Sequence, residues 1–177
     1  MRVLLAILAV STSFVRPALA ESRVDTLVNT LRVMCMVEPL NFERLDQKAT
    51  AMDLRVLTNF APPEVNGLSI RSKTWLMEVS GGPLALSASD AMGGPRPLTM
   101  CGVAAPNVTV GEMQAALTTA LGIGQPRTVS GQDGHAGLMV RWDHLQGDMT
   151  LTLMTGRFKP EPGFTLIYEG QVQPSAK

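Results

Sequence analysis

Few residues in the chain could do chemistry, and their spacing narrows the choice further. There are two histidines, in the segments Asp133-Gly134-His135 and Asp143-His144, with Asp148 close behind. Histidine beside a carboxylate can ligate a metal or act as a general base. Between the two, Leu138 to His144 alternates like a strand. At about 3.3 Å per residue, an extended chain from one histidine to the other spans roughly 30 Å. Ligands of one ion must instead sit within a few ångströms of one another. A shared site would require the Gly134 loop to fold back. The plainer expectation is two histidines in surface turns. His135 and His144 stay metal candidates on residue type alone, and no metal or cofactor is expected.

A hydrolase using His135 or His144 also needs a nucleophile. The serines at 69, 72, 80, 87, 89 and 130 stand in no G-x-S-x-G elbow, since Val129-Ser130-Gly131 lacks the first glycine. The acidic residues are scattered rather than paired. Gly81-Gly82 and Gly93-Gly94 precede no helix start with Lys-Ser/Thr, so they read as turns. Gly122-Ile123-Gly124 closes a helix, which is the wrong end of the dipole for phosphate. A small hydrolase is therefore an alternative and not the leading expectation.

A copper carrier is the second alternative, because thioethers suit Cu(I). Eleven methionines occur, ten of them after position 20. The closest pair, Met34 and Met36, diverges by about 200° on a helix. Met34, Met52, Met77, Met113 and Met149 fall on apolar faces, so methionine reads as core filler. Only Met92 is expected in water.

The start of the chain addresses its compartment. Arg2 is followed by the apolar run Val3 to Val10, then Pro17 and the small-x-small site Ala18-Leu19-Ala20. These are the parts of a secretory signal peptide, with cleavage expected after Ala20. Residue 21 is Glu rather than the Cys of a lipid anchor, so a soluble periplasmic product is expected. Beyond position 20 no run approaches the roughly 18 to 20 apolar residues of a membrane span. Two of the 15 basic residues, Arg2 and Arg16, precede that position and all 15 acidic residues follow it. The remainder, with 13 basic and 15 acidic residues and no basic run, does not suit a nucleic-acid binder.

Cys35 and Cys101 are the only cysteines. In an oxidising compartment an even pair without C-x-x-C spacing reads as one structural disulfide. Cys35 continues the stripe Val24, Leu27, Val28, Leu31 and Met34, which is one helix face, so it points into the core. Cys101 should meet it from a strand. Closing so long a loop contributes roughly 4 kcal/mol in the chain-entropy model.

The elements that must position these residues follow from periodicity and caps. Ser22 opens a helix running from Arg23 to about Met36, and Glu38-Pro39 ends it. Asn41 caps a second helix bearing Phe42, Leu45, Ala49 and Met52. Arg55 to Phe60 is ambiguous between strand and helix end, and Ala61 to Gly67 is a loop. Thr74 to Val79 and Leu84 to Ser89 alternate as a hairpin around Ser80 to Pro83. Asp90 to Pro97 is a second loop, and Leu98 to Ala104 a third strand. Thr109 and Glu112 form a capping box for a helix stopped by Gly122. Gln125 to Gly137 reads as loop. Three closing strands begin at Leu138, Met149 and Phe164, and Gln171 to Lys177 forms a tail that frays.

The expected fold is thus α+β: two N-terminal helices and an antiparallel sheet of about six strands, with one helix between two strand triplets. Residues 1–20 are the signal peptide, 21–170 one domain and 171–177 a flexible tail. At 45% apolar and 17% charged residues, the chain is a folding one.

The pattern Met34-Cys35-Met36, Pro39 and Phe42, then Trp75, then Thr99-Met100-Cys101-Gly102-Val103 resembles a widespread type of small exported proteobacterial protein of unassigned function. The resemblance implies the disulfide and the α+β layout, and no catalytic residue.

The leading functional expectation is a non-catalytic binding or accessory domain with a protein or small-molecule partner. The helix faces are used by core stripes, whereas the loops 61–67 and 90–97 carry apolar residues that no pattern buries. Val65, Asn66, Met92 and Arg96 are the candidate binding residues there.

Overall fold

The computed structural model describes residues 22–37, 40–79, 81–94, 97–129, 139–145, 149–157 and 162–171. The expected leader, its cleavage site, Arg96, His135 and the tail from 172 onward lie outside them.

Each helix starts where its cap requires. Ser22 accepts from the Asp25 amide at 3.1 Å and opens α1 (Arg23–Leu31). Asn41 does the same for α2 (Phe42–Ala51), accepting from the Arg44 amide at 3.0 Å. Thr109 and Glu112 exchange both capping-box bonds at the head of α3 (Val110–Leu121). Gly122, with φ at 62°, ends it in the left-handed conformation that glycine tolerates. The first helix departs from expectation at its end. It does not run as α-helix to Met36, because Arg32–Met36 is a π-helical turn. The wider turn keeps Met34 and Cys35 buried and leaves Val33 and Val37 in solvent.

Among the described residues the strands form a single antiparallel sheet of eight, two more than expected: β1 (Arg55–Phe60), β2 (Ser69–Val79), β3 (Gly82–Met92), β4 (Leu98–Pro106), β5 (Arg127–Val129), β6 (Met139–Leu145), β7 (Met149–Arg157) and β8 (Pro162–Gln171). Their spatial order is β1-β2-β3-β4-β8-β7-β6-β5. Each half of the chain is thus a helical segment followed by a four-strand meander. The last strands of the two meanders, β4 and β8, pair at the centre. Helix α3 carries the chain from that centre to the far edge.

Several boundaries move relative to the sequence reading. Arg55–Phe60 is a strand. Asp90, Ala91 and Met92 extend β3 in register with Arg71, Ile70 and Ser69, so the second loop begins only at Gly93. Gly82 pairs with Val79, which shortens the expected four-residue turn. Arg127–Val129, inside a segment that reads as loop, pairs with β6 as a short edge. Met52 lies beyond the end of α2, where Asp53 takes a positive φ of 53°, and it is 51% exposed rather than buried.

The helices lie on one side of the sheet. Helix α2 packs on β3, α1 and the π-turn pack on β4, and α3 packs on β7. The sheet residues under them are Trp75 and Met77, Leu84, Leu86 and Ala88, Cys101, Val103 and Ala105, Val140 and Trp142, and Leu151 and Leu153. Period-2 alternation puts each set on one face. Cys35 and Cys101 are bonded with Cα atoms 5.6 Å apart, tying the helical layer to the central strand. Both tryptophans are buried, Trp75 at 1% exposure and Trp142 at 4%. The Trp142 indole N–H donates to the Gly124 carbonyl at 2.8 Å. None of the helices among the described residues is long and apolar enough to cross a membrane.

Eight strands at about 4.8 Å spacing are wider than three helices of about 10 Å diameter laid side by side. The outermost strands therefore overhang the helical layer. Strand β1 is exposed at all six positions.

Candidate functional site

The overhang brings together residues that the sequence places in separate segments. Val65 and Leu68 close a two-residue hairpin, with amide-to-carbonyl bonds of 3.1 and 2.9 Å. Its corner is Asn66-Gly67, both at positive φ, 52° and 78°. That pairing matches the right-handed twist of the flanking chain and suits Asn-Gly. The second loop packs onto this corner. A Cβ built on Gly93 would stand 1.7 Å from the Gly67 carbonyl oxygen, and Gly93 itself has φ of 84°. No side chain fits there, so glycine is what lets the two loops meet.

The joined loops expose Val65 and Leu68, and the adjoining strand residues Ile70 of β2 and Met92 of β3 are exposed as well. Next to them runs β1, exposing Val56, Leu57 and Phe60, the last at 57%. Val65, Asn66 and Met92 thus gather at one corner of the sheet beside β1, where the register puts Val56 and Met92 on the helix-covered face and Phe60 and Ile70 on the other. The sequence reading left β1 open between strand and helix end, and it took Asn66-Gly67 as plain loop rather than a hairpin corner. Both signals were present: Val56, Leu57, Thr58 and Phe60 have strand character, and Asn-Gly is a strong short-range turn signal.

An ionic frame beside this corner fixes the ends of β2 and β3. Arg71 and Asp90 are register partners. Arg71 donates from Nε and Nη2 to the two Asp90 oxygens at 2.8 and 2.6 Å. Asp90 is buried, and such a bidentate fork is the arrangement that satisfies a buried carboxylate. Arg71 Nη2 also donates to Glu43 of α2, and the guanidinium lies 4.3 Å from the Phe42 ring centroid. The Asp90 hydrogen bonds, with help from Glu43, hold Arg71 protonated beyond its ordinary range. The hydrogen bond from Arg71 in turn lowers the Glu43 carboxyl below its usual value. One turn along, Lys73 donates to Asp46 at 2.6 Å. These contacts pin α2 over β2 and β3, and α2 stops short of β1.

The two edges of the sheet differ. Strand β5 has three residues, and its Arg127 is engaged by Asp143 at 2.6 Å. Strand β1 has six residues and no charge after Arg55.

His144 is the next-to-last residue of β6. Among the described residues no three of His, Cys, Asp and Glu stand together as a metal site. Met34, Met77 and Met113 are core side chains, and Met139 and Met154 are register partners across β6 and β7. Met92, expected to be the one methionine in water, shares that exposure with Met52.

Comparison with known protein families, with characterised proteins and with solved structures finds no match.

Proposed function

We propose that this chain is an exported, non-catalytic binding protein of the periplasm, and that β1 takes up an extended apolar segment of a partner polypeptide. The observation that carries the reading is the exposure of all six residues of β1 beside the apolar loop corner. An edge strand offers a row of N–H and C=O groups to an incoming strand, and pockets beside it give specificity. Val56, Leu57 and Phe60 supply apolar contacts along the strand, and Val65, Leu68 and Met92 supply them at its end.

The partner is a foreign segment rather than a second copy. The pairing of β1 with β2 shifts register between Val56 and Thr58, which leaves Leu57 in a bulge. Two copies of β1 aligned antiparallel would bring two bulges into one short ladder. Bulges at edges guard against such self-pairing, whereas a flexible peptide can adjust to one. Placement in the periplasm rests on the N-terminal leader pattern and agrees with the disulfide.

Selection from a phage-displayed library of unstructured nine-residue peptides tests the reading. Thr58 and Asn59 are consecutive after the bulge, so their N–H groups point to opposite sides of β1. Proline at one of them removes only an outward donor and spares the β2 ladder. Selected peptides should bind the wild type and lose binding to the variant, of Thr58→Pro and Asn59→Pro, that keeps its fold. Peptides that bind both proline variants like wild type, or a selection that yields none, would refute the proposal.

A further inference from the structure

On the helix-covered side, away from β1, the π-turn, the end of α3 and the end of β6 line a cleft of about 460 Å³. We propose that this cleft binds a soluble amphiphilic anion: one negative head group on an unbranched apolar body, as in a medium-chain carboxylate.

Three observations converge. The first is the lining. Met36, Val37, Ala120, Leu121, Ile123 and Leu145 are apolar, and among the described lining residues the single charged group is Arg32. The volume falls within the range of roughly 300 to 1,000 Å³ typical of small-ligand sites. The second is the helix geometry. Bonding from i to i+5 stacks residue 37 nearly over residue 32, so Arg32, Met36 and Val37 share the side away from buried Met34 and Cys35. An ordinary α-turn would keep Arg32 and Met36 on one face but turn residue 37 about 140° away from Arg32. Val37, which lines the cleft, is 68% exposed, which leaves apolar surface for an alkyl chain to cover.

The third is charge. Arg32 makes no ion pair among the described residues. An adjoining depression of about 290 Å³ shares Ile123 and Leu145 with the cleft. It adds Arg127, Arg141 and Asp143, with both arginines on one carboxylate at 2.6 and 2.7 Å. The described lining of the two depressions thus holds three guanidiniums and one carboxylate. A guanidinium holds a carboxylate through two parallel hydrogen bonds, and the apolar walls strengthen that pairing. A neutral apolar ligand would leave this excess of positive charge unused.

Isothermal titration calorimetry of the wild-type protein with monomeric decanoate, and separately with decanol, reads the proposal. Decanoate should bind saturably at one site and decanol at least tenfold more weakly. Arg32 is exposed, so Arg32→Gln should keep the fold and weaken decanoate at least tenfold while leaving decanol unchanged. Ala120→Phe, also at an exposed position, should fill the cleft and reduce both. Sedimentation with phosphatidylglycerol vesicles separates a soluble ligand from a membrane surface. Equal binding of decanoate and decanol, an Arg32→Gln variant that binds decanoate like wild type, or vesicle binding without decanoate binding would overturn the proposal.

Discussion

Gly93 rests against the carbonyl of Gly67, leaving room for hydrogen alone: a Cβ at Gly93 would lie 1.7 Å from that oxygen. This contact turns two loops into one surface. The two glycines should respond differently to substitution. Gly67 has positive φ but nothing within 4 Å of a built Cβ, so Gly67→Ala should cost only its backbone strain, about 1 kcal/mol. Gly93→Ala adds a collision with backbone and should cost about 2 to 4 kcal/mol. Urea unfolding of both variants measures the difference, and equal costs would contradict the packing of the loops.

The disulfide should survive native conditions and vanish only with the fold. Cys35 and Cys101 are each at most 1% exposed, so a thiol reagent with reductant should label neither until the chain opens. Replacing both by Ala should lower stability by about 4 kcal/mol, less whatever order the unfolded chain retains. Mass spectrometry after alkylation, with and without denaturant, gives the first answer.

Trp75 and Trp142 should give blue-shifted emission that iodide quenches poorly. Trp→Ala at either site should cost about 3 to 5 kcal/mol. A milder substitution at Trp142 separates packing from hydrogen bonding. Trp142→Phe leaves the Gly124 carbonyl without its 2.8 Å donor, which should add about 1 to 3 kcal/mol beyond the loss of ring volume.

Glu43 predicts an acid-sensitive contribution. Its hydrogen bond from Arg71 lowers its folded pKa, so this stabilisation is present above the unfolded carboxylate pKa and lost as pH falls through the folded value. Glu43→Gln should therefore be less stable than wild type at pH 7. The gap should close in strongly acidic buffer, where both carry a neutral side chain. Parallel urea titrations across that range would show it, and a gap independent of pH would place the effect elsewhere.

The elements that were legible in the sequence are those whose signals are local. Ser22, Asn41, Thr109 and Gly122 mark helix ends, and the structure places the caps there. The stripe ending in Cys35 and the alternation around Trp75 and Cys101 located the core and the disulfide. The edges were not legible in the same way. Arg127–Val129 is too short to show a period and owes its strand state to pairing with Met139–Arg141. Arg55–Phe60 shows no alternation because both its faces are solvated, so the pattern that reveals a half-buried strand is missing. The π-turn has no sequence mark, since Arg32, Val33 and Met36 fit an α-helix equally well. The candidate binding residues Val65, Asn66 and Met92 were legible as apolar or turn residues outside any core stripe. That they meet at one corner of the sheet was not, because it depends on the tertiary contact of Gly93 with Gly67.

Amide hydrogen exchange along β1 tests the binding proposal most directly. The uniformly ¹⁵N-labelled protein would be followed by NMR with and without a saturating peptide from the displayed library. The account predicts that the outward amides between Val56 and Phe60 gain at least tenfold protection while those of Arg127–Val129 do not change. Saturating peptide that leaves the exchange of β1 unaltered, or that protects the β5 edge instead, would contradict it.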